Sequence, residues 1–154
     1  MTHDVTQDAE LQDLYRELIL DHARSPRNFG RLNNPTHAAE GINPLCGDKL
    51  KLYLKIDADE RVHEICFEGS GCAISVASAS LLTETVASLT VTEAEAVIES
   101  VTTRLTHGSA VIKNEKLYAL DGVRKYPMRV KCATLAWHAL HAALSSQNTT
   151  ATTE

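Results

Sequence analysis

The sequence is poor in aromatic side chains and has no long apolar run. Phe, Trp and Tyr together make up 5% of its 154 residues, so a core must consist mainly of Leu, Val, Ile and Ala. No apolar stretch approaches the roughly 20 residues that a membrane-spanning helix needs, so no membrane association is expected. Hydrophobic residues make up 44% and charged residues 23%, as in globular domains. We expect one ordinary domain with its own core.

An excess of positive charge is also missing. Lys and Arg total 15 against 20 for Asp and Glu, which gives a formal net charge of −5. Nucleic-acid binding needs a basic face, so no nucleic-acid partner is expected. The first eight residues are polar and acidic, unlike a signal peptide, and a cytoplasmic location is the default expectation. In a reducing cytosol, four cysteines more often serve as ligands, catalysts or buried thiols than as disulfides.

The common catalytic motifs are missing as well. The sequence contains no Gly-x-Gly-x-x-Gly, P-loop, Gly-x-Ser-x-Gly or His-Glu-x-x-His pattern, and no zinc deaminase signature. Any chemistry must therefore be sought in the cysteines.

Hydrophobic periodicity predicts an α+β fold with a small three-stranded antiparallel sheet packed against several helices. Alternation predicts strands at residues 50–56 and 61–68, joined as a hairpin, and a weaker strand at 37–43. Helices are predicted from about 11 to 22, 72 to 88 and 129 to 144, and a further one starts at a capping box of Thr92 and Glu95. We expect a flexible N-terminus over 1–10, a single domain over 11–144 and a disordered tail over 145–154.

Three cysteines lie in settings that suit metal ligation. Gly47 permits a sharp turn that lets Cys46 and Asp48 face one point. Cys72 follows a Gly-Ser-Gly segment at a predicted helix N-terminus, where the helix dipole favours a thiolate. Cys132 is expected in the first turn of the last helix, where the helix dipole should likewise favour its thiolate form.

Three thiolates and Asp48 would form a four-coordinate site able to hold zinc, hold an iron–sulfur unit or accept sulfur. The spacing matches no zinc finger, so a shared site and buried cysteines acting as small hydrophobes stay equally open. The four ligands would sum to −4, and a divalent ion would leave −2. A basic segment could offset this charge or dock an acidic partner: Arg124, Lys125, Arg129 and Lys131.

The remaining cysteine and the histidines are expected to lie outside the site. Cys66 shares a strand face with Glu64 and Glu68, which indicates a spare, partly exposed thiol. His138 and His141 belong to a polar stripe of the last helix and should be solvated. His22, on an apolar helix face, is expected to be a hydrogen-bonded packing residue.

Four motifs in order resemble those of a known family. They are Asp21-His22-x-x-x-Pro26-Arg27-Asn28-x-Gly30, Asn43-Pro44-x-Cys46-Gly47-Asp48, Phe67-Glu68-Gly69-x-Gly71-Cys72-x-Ile74-Ser75-x-Ala77-Ser78-Ala79-Ser80 and Lys131-Cys132-Ala133-Thr134-Leu135-x-Trp137. The chain thereby resembles the IscU/NifU N-terminal-like scaffold proteins over about residues 11–144. Two features favour the SufU branch: Lys131 stands where IscU-type proteins carry histidine, and 59 residues separate Cys72 from Cys132, which leaves room for an insertion over 92–127.

The resemblance implies a SufE/IscU-like fold and a zinc-dependent sulfurtransferase. The implied zinc ligands are Cys46, Asp48, Cys72 and Cys132, and Cys46 is the implied acceptor of persulfide sulfur. The implied partners are a PLP-dependent cysteine desulfurase of SufS type and a downstream SufBCD-type scaffold. Arg129 and Lys131 are candidates for supporting the site. The alternatives are a scaffold that assembles a [2Fe–2S] cluster on the same ligands, and a non-catalytic module with structural zinc.

Overall fold

A computed structural model describes residues 5–145 and 149–152. The strands are β1 (His37–Asn43), β2 (Asp48–Ile56), β3 (Val62–Ser70) and β4 (Thr149–Thr152). The α-helices are α1 (Val5–Arg24), α2 (Ala73–Val86), α3 (Val91–His107) and α4 (Pro127–Ser145), and a 3-10 helix (Glu115–Lys125) precedes α4.

The sheet has the order β3-β2-β1-β4. Strands β1, β2 and β3 pair antiparallel, whereas the short β4 lies parallel to β1 at one edge. The predicted α+β fold with three antiparallel strands is therefore confirmed, and one short strand is added to it. Along β3, Ile65 and Phe67 are buried while Cys66 is only half-buried, as the alternation predicts.

Helices α2 and α4 occupy the centre of the molecule because their small residues allow close packing. The buried face of α2 includes Ala77 and Ala79. Trp137 of α4 is fully buried, and its Nε1–H donates to Ser78 Oγ at 3.0 Å. This contact fixes α2 against α4; Cys72 directly precedes α2, and Cys132 lies within α4. None of the helices in the described part of the chain has both the length and the apolar character that a membrane crossing requires.

The structure gives regular elements to parts of both predicted flexible ends. Helix α1 begins at Val5, and no proline or glycine interrupts the chain between that residue and Arg24. Thr149–Thr152 forms β4, in keeping with the preference of β-branched threonine for strands. The predicted flexible positions 1–4, 146–148 and 153–154 lie outside the described residues.

Helix α3 starts earlier than the sequence predicted. Its capping box is Thr90 with Glu93: Glu93 N–H donates to Thr90 Oγ1 at 3.1 Å, and Thr90 N–H donates to Glu93 Oε1 at 3.0 Å. The predicted pair of Thr92 and Glu95 is therefore wrong by two residues. Thr90 also forms a β-bridge with Arg61, and this tertiary pairing keeps the chain extended up to the helix start.

His22 joins α1 to α2 inside the core. Its side chain is fully buried, with Nδ1 2.7 Å from Ser80 Oγ and Nε2 3.5 Å from Glu84 Oε1. Ser80 Oγ also accepts from the backbone N–H of Arg27 at 2.9 Å, so its own hydroxyl is placed to donate to Nδ1. The predicted role of His22 as a hydrogen-bonded packing residue is confirmed.

We expect the stability of the fold to decrease at mildly acidic pH because of His22. Burial lowers the pKa of His22, the charge of Arg27 lowers it further, and Glu84 opposes both. The folded state therefore favours the neutral ring, and the unfolded chain binds more protons below its pKa of 6.5. The stabilisation is complete above pH 6.5 and is lost as the pH falls towards the lower folded pKa. Denaturant unfolding at several pH values should show a weaker pH dependence in His22→Gln, and an unchanged dependence would contradict the prediction.

Candidate metal centre

Three separate segments bring the candidate ligands to one end of the sheet. Cys46 lies in the turn between β1 and β2, and Asp48 is the first residue of β2. The backbone of Gly47 between them has φ +73°, a left-handed conformation that glycine adopts without strain. Cys72 is the N-cap residue of α2, as predicted, and Cys132 lies in the second turn of α4.

The tightest group consists of Cys46, Asp48 and Cys132. The two sulfur atoms and a carboxylate oxygen all lie within 4.8 Å of one another. Cys72 adjoins this group: its backbone N–H donates to Asp48 Oδ1 at 2.8 Å, and its Sγ lies 3.7 Å from Ser75 Oγ. The structure therefore brings all four predicted ligands together, with three in a close cluster and Cys72 at its border.

The ligands differ strongly in their access to solvent. Asp48 is 1% exposed and Cys132 3% exposed, whereas Cys46 and Cys72 are exposed. The site thus has a buried floor and an open rim. A reagent arriving from solvent meets Cys46 or Cys72 first.

The Asp48 carboxylate is held by two hydrogen bonds. Its Oδ1 accepts from the backbone N–H of Cys72 at 2.8 Å, and its Oδ2 accepts from Ser75 Oγ at 2.6 Å. Gly71 makes this approach possible, since a Cβ at that position would lie 2.6 Å from Asp48 Oδ1. Strand β2 and the start of α2 are therefore fixed to each other through one carboxylate.

Burial gives Cys132 a different character from the one predicted. Burial raises the pKa of the Cys132 thiol, and hydrogen bonds with Asp48, Cys46 and Cys72 raise it further. The sequence predicts that the dipole at the first turn of the helix stabilises a Cys132 thiolate. This prediction is wrong, because α4 begins at Pro127 and Cys132 lies in the second turn. Without a cation this group stays a thiol, so a thiolate here requires a positive charge beside it.

Two further residues complete the floor of the site. Asn43 is buried, and its Nδ2 donates to Cys132 Sγ at 3.7 Å. Ser75 is fully buried and lies 3.3 Å from the carbonyl oxygen of Cys132, in addition to its bond with Asp48. The sequence alone predicts no role in the site for either residue. In the sequence, only their positions could have indicated this role: Asn43 belongs to the motif around Cys46, and Ser75 belongs to the motif around Cys72.

The predicted supporting residues lie on different sides of α4. Arg129 is three residues before Cys132, and its guanidinium stacks on the Tyr126 ring at 4.9 Å. Lys131 lines a groove together with Thr134 and other residues of the polar stripe. Direct support of the site by either side chain stays a prediction.

Cys66 stands apart from the cluster. It is half-buried in the middle of β3, where it pairs with Tyr53 of β2. Burial raises the pKa of its thiol, and the neighbouring Glu64 adds to the effect. Its position in β3, outside the group of Cys46, Asp48 and Cys132, agrees with the expectation that Cys66 has no part in the site.

The donor set fits a zinc ion. Zinc in proteins takes thiolate sulfur and carboxylate oxygen as ligands, usually four in number. The burial of Asp48 and Cys132 suits a cation at this position, because a bound cation would offset the negative charge of ligands that little solvent can reach. The residues that would hold the ion are Cys46, Asp48, Cys72 and Cys132.

The chain is similar to known proteins along nearly its full length. The zinc-dependent sulfurtransferase SufU of Bacillus subtilis is 38% identical over 142 residues, which cover 90% of this chain and 95% of that protein. The iron–sulfur cluster assembly scaffold protein IscU of Thermotoga maritima is 41% identical over 135 residues, covering 85% and 92%. The crystal structure of FiSufU from Fervidobacterium islandicum AW-1 superimposes with a TM-score of 0.76 at 32% identity, covering 83% of this chain and 94% of that one.

Residues 14–153 match the description of the NifU-like N terminal domain. This match includes all four candidate ligands, α1 from residue 14 onward, and every later element up to β4. The protein therefore belongs to the family of NifU-like N-terminal domains.

Proposed function

We propose that this protein is a cytoplasmic, zinc-holding sulfurtransferase of iron–sulfur cluster assembly, with Cys46 as the sulfur acceptor. One observation carries the proposal: an exposed cysteine lies on a turn beside a buried carboxylate and a buried thiol. A sulfur carrier needs one sulfur that a partner can reach and a surrounding site that protects it. The relatives named SufU and IscU support a place in the same process.

Cys46 suits the acceptor role better than Cys72. The backbone N–H of Cys72 donates to Asp48 of β2, and Cys72 is also the N-cap residue of α2. Both β2 and α2 therefore fix the position of Cys72. Cys46 sits next to the exposed Leu45 and Gly47 in a short turn, where its backbone makes one long bond of 3.3 Å to Asn43. A modest change in this turn would carry its sulfur outward, whereas moving Cys72 would disturb the start of α2.

The proposed transfer is a thiol exchange with a persulfide of the partner. The Cys46 thiolate attacks the terminal sulfur of that persulfide, and a new S–S bond forms at Cys46. The former S–S bond breaks, and the partner cysteine leaves as a thiolate. The terminal sulfur keeps its proton, so atoms and electrons balance without an oxidant or a reductant.

Zinc bound by Cys46, Asp48, Cys72 and Cys132 would keep the thiols deprotonated and shielded from unwanted reaction. The four ligands then sum to −4, and with a divalent ion the site carries −2. The bonds from Cys72 N–H and Ser75 Oγ to Asp48 neutralise part of this charge locally. Arg129, in the preceding turn of α4, is the candidate for offsetting part of the remaining charge.

The proposed sulfur donor is a PLP-dependent cysteine desulfurase of SufS type, and the proposed recipient is a SufBCD-type scaffold. The rim of the site offers contact groups for such a donor. Leu45, Tyr126 and Met128 are large hydrophobic side chains exposed on the segments that carry Cys46 and Cys132. Arg129, stacked on Tyr126, places a cation among them.

A second candidate function is the assembly of a [2Fe–2S] cluster on the same residues. The 41% identity to a protein named as a scaffold favours it, and thiolate sites accept either zinc or iron–sulfur clusters. Lys131 disfavours it, because the side chain next to Cys132 is an ammonium group, which offers no ligand in its usual charged form.

Metal and labile-sulfide analysis of anaerobically purified protein separates the two functions. We expect about one zinc per chain, no labile sulfide, and faster cysteine turnover by a SufS-type desulfurase when the protein is added. Iron and labile sulfide in similar amounts, transferable to an apo-protein, would instead establish the scaffold. Zinc without any effect on a desulfurase would indicate a structural metal.

A further inference from the structure

The polar stripe of α4 lines an open groove with a volume of about 740 Å³. The groove is bounded by the end of α3, the end of the 3-10 helix, α4 from Pro127 to Ala142, and strand β4. It lies beside the metal centre without including any of the four candidate ligands. The sequence predicts a solvated helix face for this stripe, whereas the tertiary structure makes it one wall of a groove.

The groove combines basic side chains with an apolar wall, and none of the described residues that line it is a carboxylate. Its basic groups are Arg124, Lys131, His138 and His141. Its apolar lining consists of Leu105, Pro127, Val130, Ala142 and Ala151. Among the described residues, no carboxylate lies within 4.0 Å of Arg124 or Lys131, whereas His141 is held by Glu95 at 2.8 Å. Arg124 and Lys131 thus place two positive charges in the groove, on a chain of net charge −5 with neutral histidines.

The walls of the groove are held in place by buried or paired groups. Arg104 of α3 binds both carboxylate oxygens of Asp121 at 2.8 and 2.7 Å, which ties the 3-10 helix to α3. The guanidinium of Arg124 lies directly over Gly108, where a Cβ would collide with it. Gly108 ends α3 with φ +75°, so its lack of a side chain serves both the cap and the position of Arg124. The groove is therefore preformed.

We propose that this groove is a docking site for an acidic, partly apolar segment of a partner protein. Carboxylates of the segment would pair with Arg124 and Lys131, and its apolar side chains would cover Val130 and Ala142. A nucleic acid is disfavoured as occupant, because the net charge of the chain repels a polyanion while a short acidic segment meets only the local basic groups. The site is distinct from the sulfur-accepting centre, and it stands or falls independently of the proposed function.

The geometry of α4 gives the docking site a link to the metal centre. Successive residues of an α-helix point about 100° apart, so Lys131 and Cys132 face neighbouring sides of the same turn. A bound segment would thus contact the helix that carries a buried ligand and leave the exposed Cys46 accessible. A partner could remain attached there while another protein approaches the rim.

The test measures binding of a short fluorescein-labelled peptide of Asp, Glu, Leu and Gly to the full chain by anisotropy at low salt. We expect the peptide to bind, and its Asn/Gln counterpart to bind about tenfold more weakly. Lys131→Glu and Arg124→Glu should each weaken binding about five- to tenfold. The matched control is Lys125→Glu, which makes the same change of charge at an exposed residue outside the groove. It should change binding less than about twofold.

Four results would overturn the proposal. They are no binding of the acidic peptide, equal binding of the amide peptide, equal losses in Lys125→Glu and Lys131→Glu, or tighter binding of a labelled single-stranded oligonucleotide at the same salt. Circular dichroism of each variant controls for folding. Because Arg124 and Lys131 are tested separately, a folding defect in one variant leaves the other informative.

Discussion

Replacing Cys46 with serine should abolish sulfur acceptance while the fold remains intact. The hydroxyl of serine stays protonated at neutral pH and cannot attack a persulfide as a thiolate does. Cys46 is exposed on a turn, so the substitution removes no core contact and should change the free energy of unfolding by less than about 0.5 kcal/mol apart from lost metal stabilisation. We expect stimulation of the desulfurase to fall by roughly a hundredfold or more, to the level without the protein.

The control for this experiment is Cys66→Ser, the same chemical change at a thiol outside the cluster. It should leave sulfur acceptance unchanged, since Cys66 lies in the middle of β3 and its thiol is held in its protonated form. Mass spectrometry after incubation with desulfurase and cysteine should find one additional sulfur on Cys46 in both the wild type and Cys66→Ser. Full sulfur acceptance by Cys46→Ser would exclude Cys46 as the acceptor and point to the exposed Cys72.

Replacing Asp48 with alanine should weaken zinc binding and lower the stability of the protein. The change removes a predicted ligand and the acceptor for Cys72 N–H and Ser75 Oγ. Ser75 Oγ can still donate to the Cys132 carbonyl oxygen at 3.3 Å, so only the Cys72 N–H loses its acceptor. An unpaired donor of this kind costs roughly 1–3 kcal/mol of stability. In a domain of this size, each 1 kcal/mol lowers Tm by about 2–4 °C. The loss of bound metal adds to this decrease.

Zinc content and Tm, measured with and without a chelator, test this prediction. Asp59→Ala is the control, because it removes a carboxylate from the exposed turn between β2 and β3. Chelation should lower the Tm of the wild type and of Asp59→Ala, and should have little effect on Asp48→Ala. Unchanged zinc affinity in Asp48→Ala would show that the carboxylate is not a ligand.

A related variant, Gly71→Ala, should disturb the same carboxylate without removing it. The added methyl group would lie 2.6 Å from Asp48 Oδ1, so Asp48 must move and lose its alignment with Cys72 and Ser75. Loss of such outer contacts typically lowers metal affinity by about 10- to 100-fold. Gly122→Ala serves as the control, since nothing lies within 4 Å of its added methyl group. Equal zinc affinity in the two variants would contradict this role for Gly71.

Local patterns were sufficient to predict the fold class and the candidate ligands. Alternation of apolar residues predicts strands because side chains point to opposite faces, and this rule holds for β2 and β3. Gly47, next to Cys46, and Gly69 and Gly71, before Cys72, indicate turns, and such turns can direct the two thiols towards one shared site. Such signals depend on neighbours in sequence and require no knowledge of distant segments.

Local patterns did not predict the start of α3 or the regular structure near the two termini. The start of α3 was misplaced because the bridge between Arg61 and Thr90, nearly thirty residues apart, decides where the chain stops being extended. Strand β4 could not be predicted from its polar residues alone. It exists as a strand because β1 offers an edge with unpaired backbone groups.

By itself the sequence determined the candidate ligands: three cysteines and Asp48 in settings that suit a metal, with Cys66 in a setting that does not. Only the tertiary structure decided how exposed each ligand is, with Cys132 and Asp48 buried and Cys46 open to solvent. It also added Ser75 and Asn43 to the site and placed Lys131 in a basic groove. The physical reason is that burial, pKa and charge pairing depend on atoms brought together from distant parts of the chain, whereas turns and alternation depend on adjacent residues.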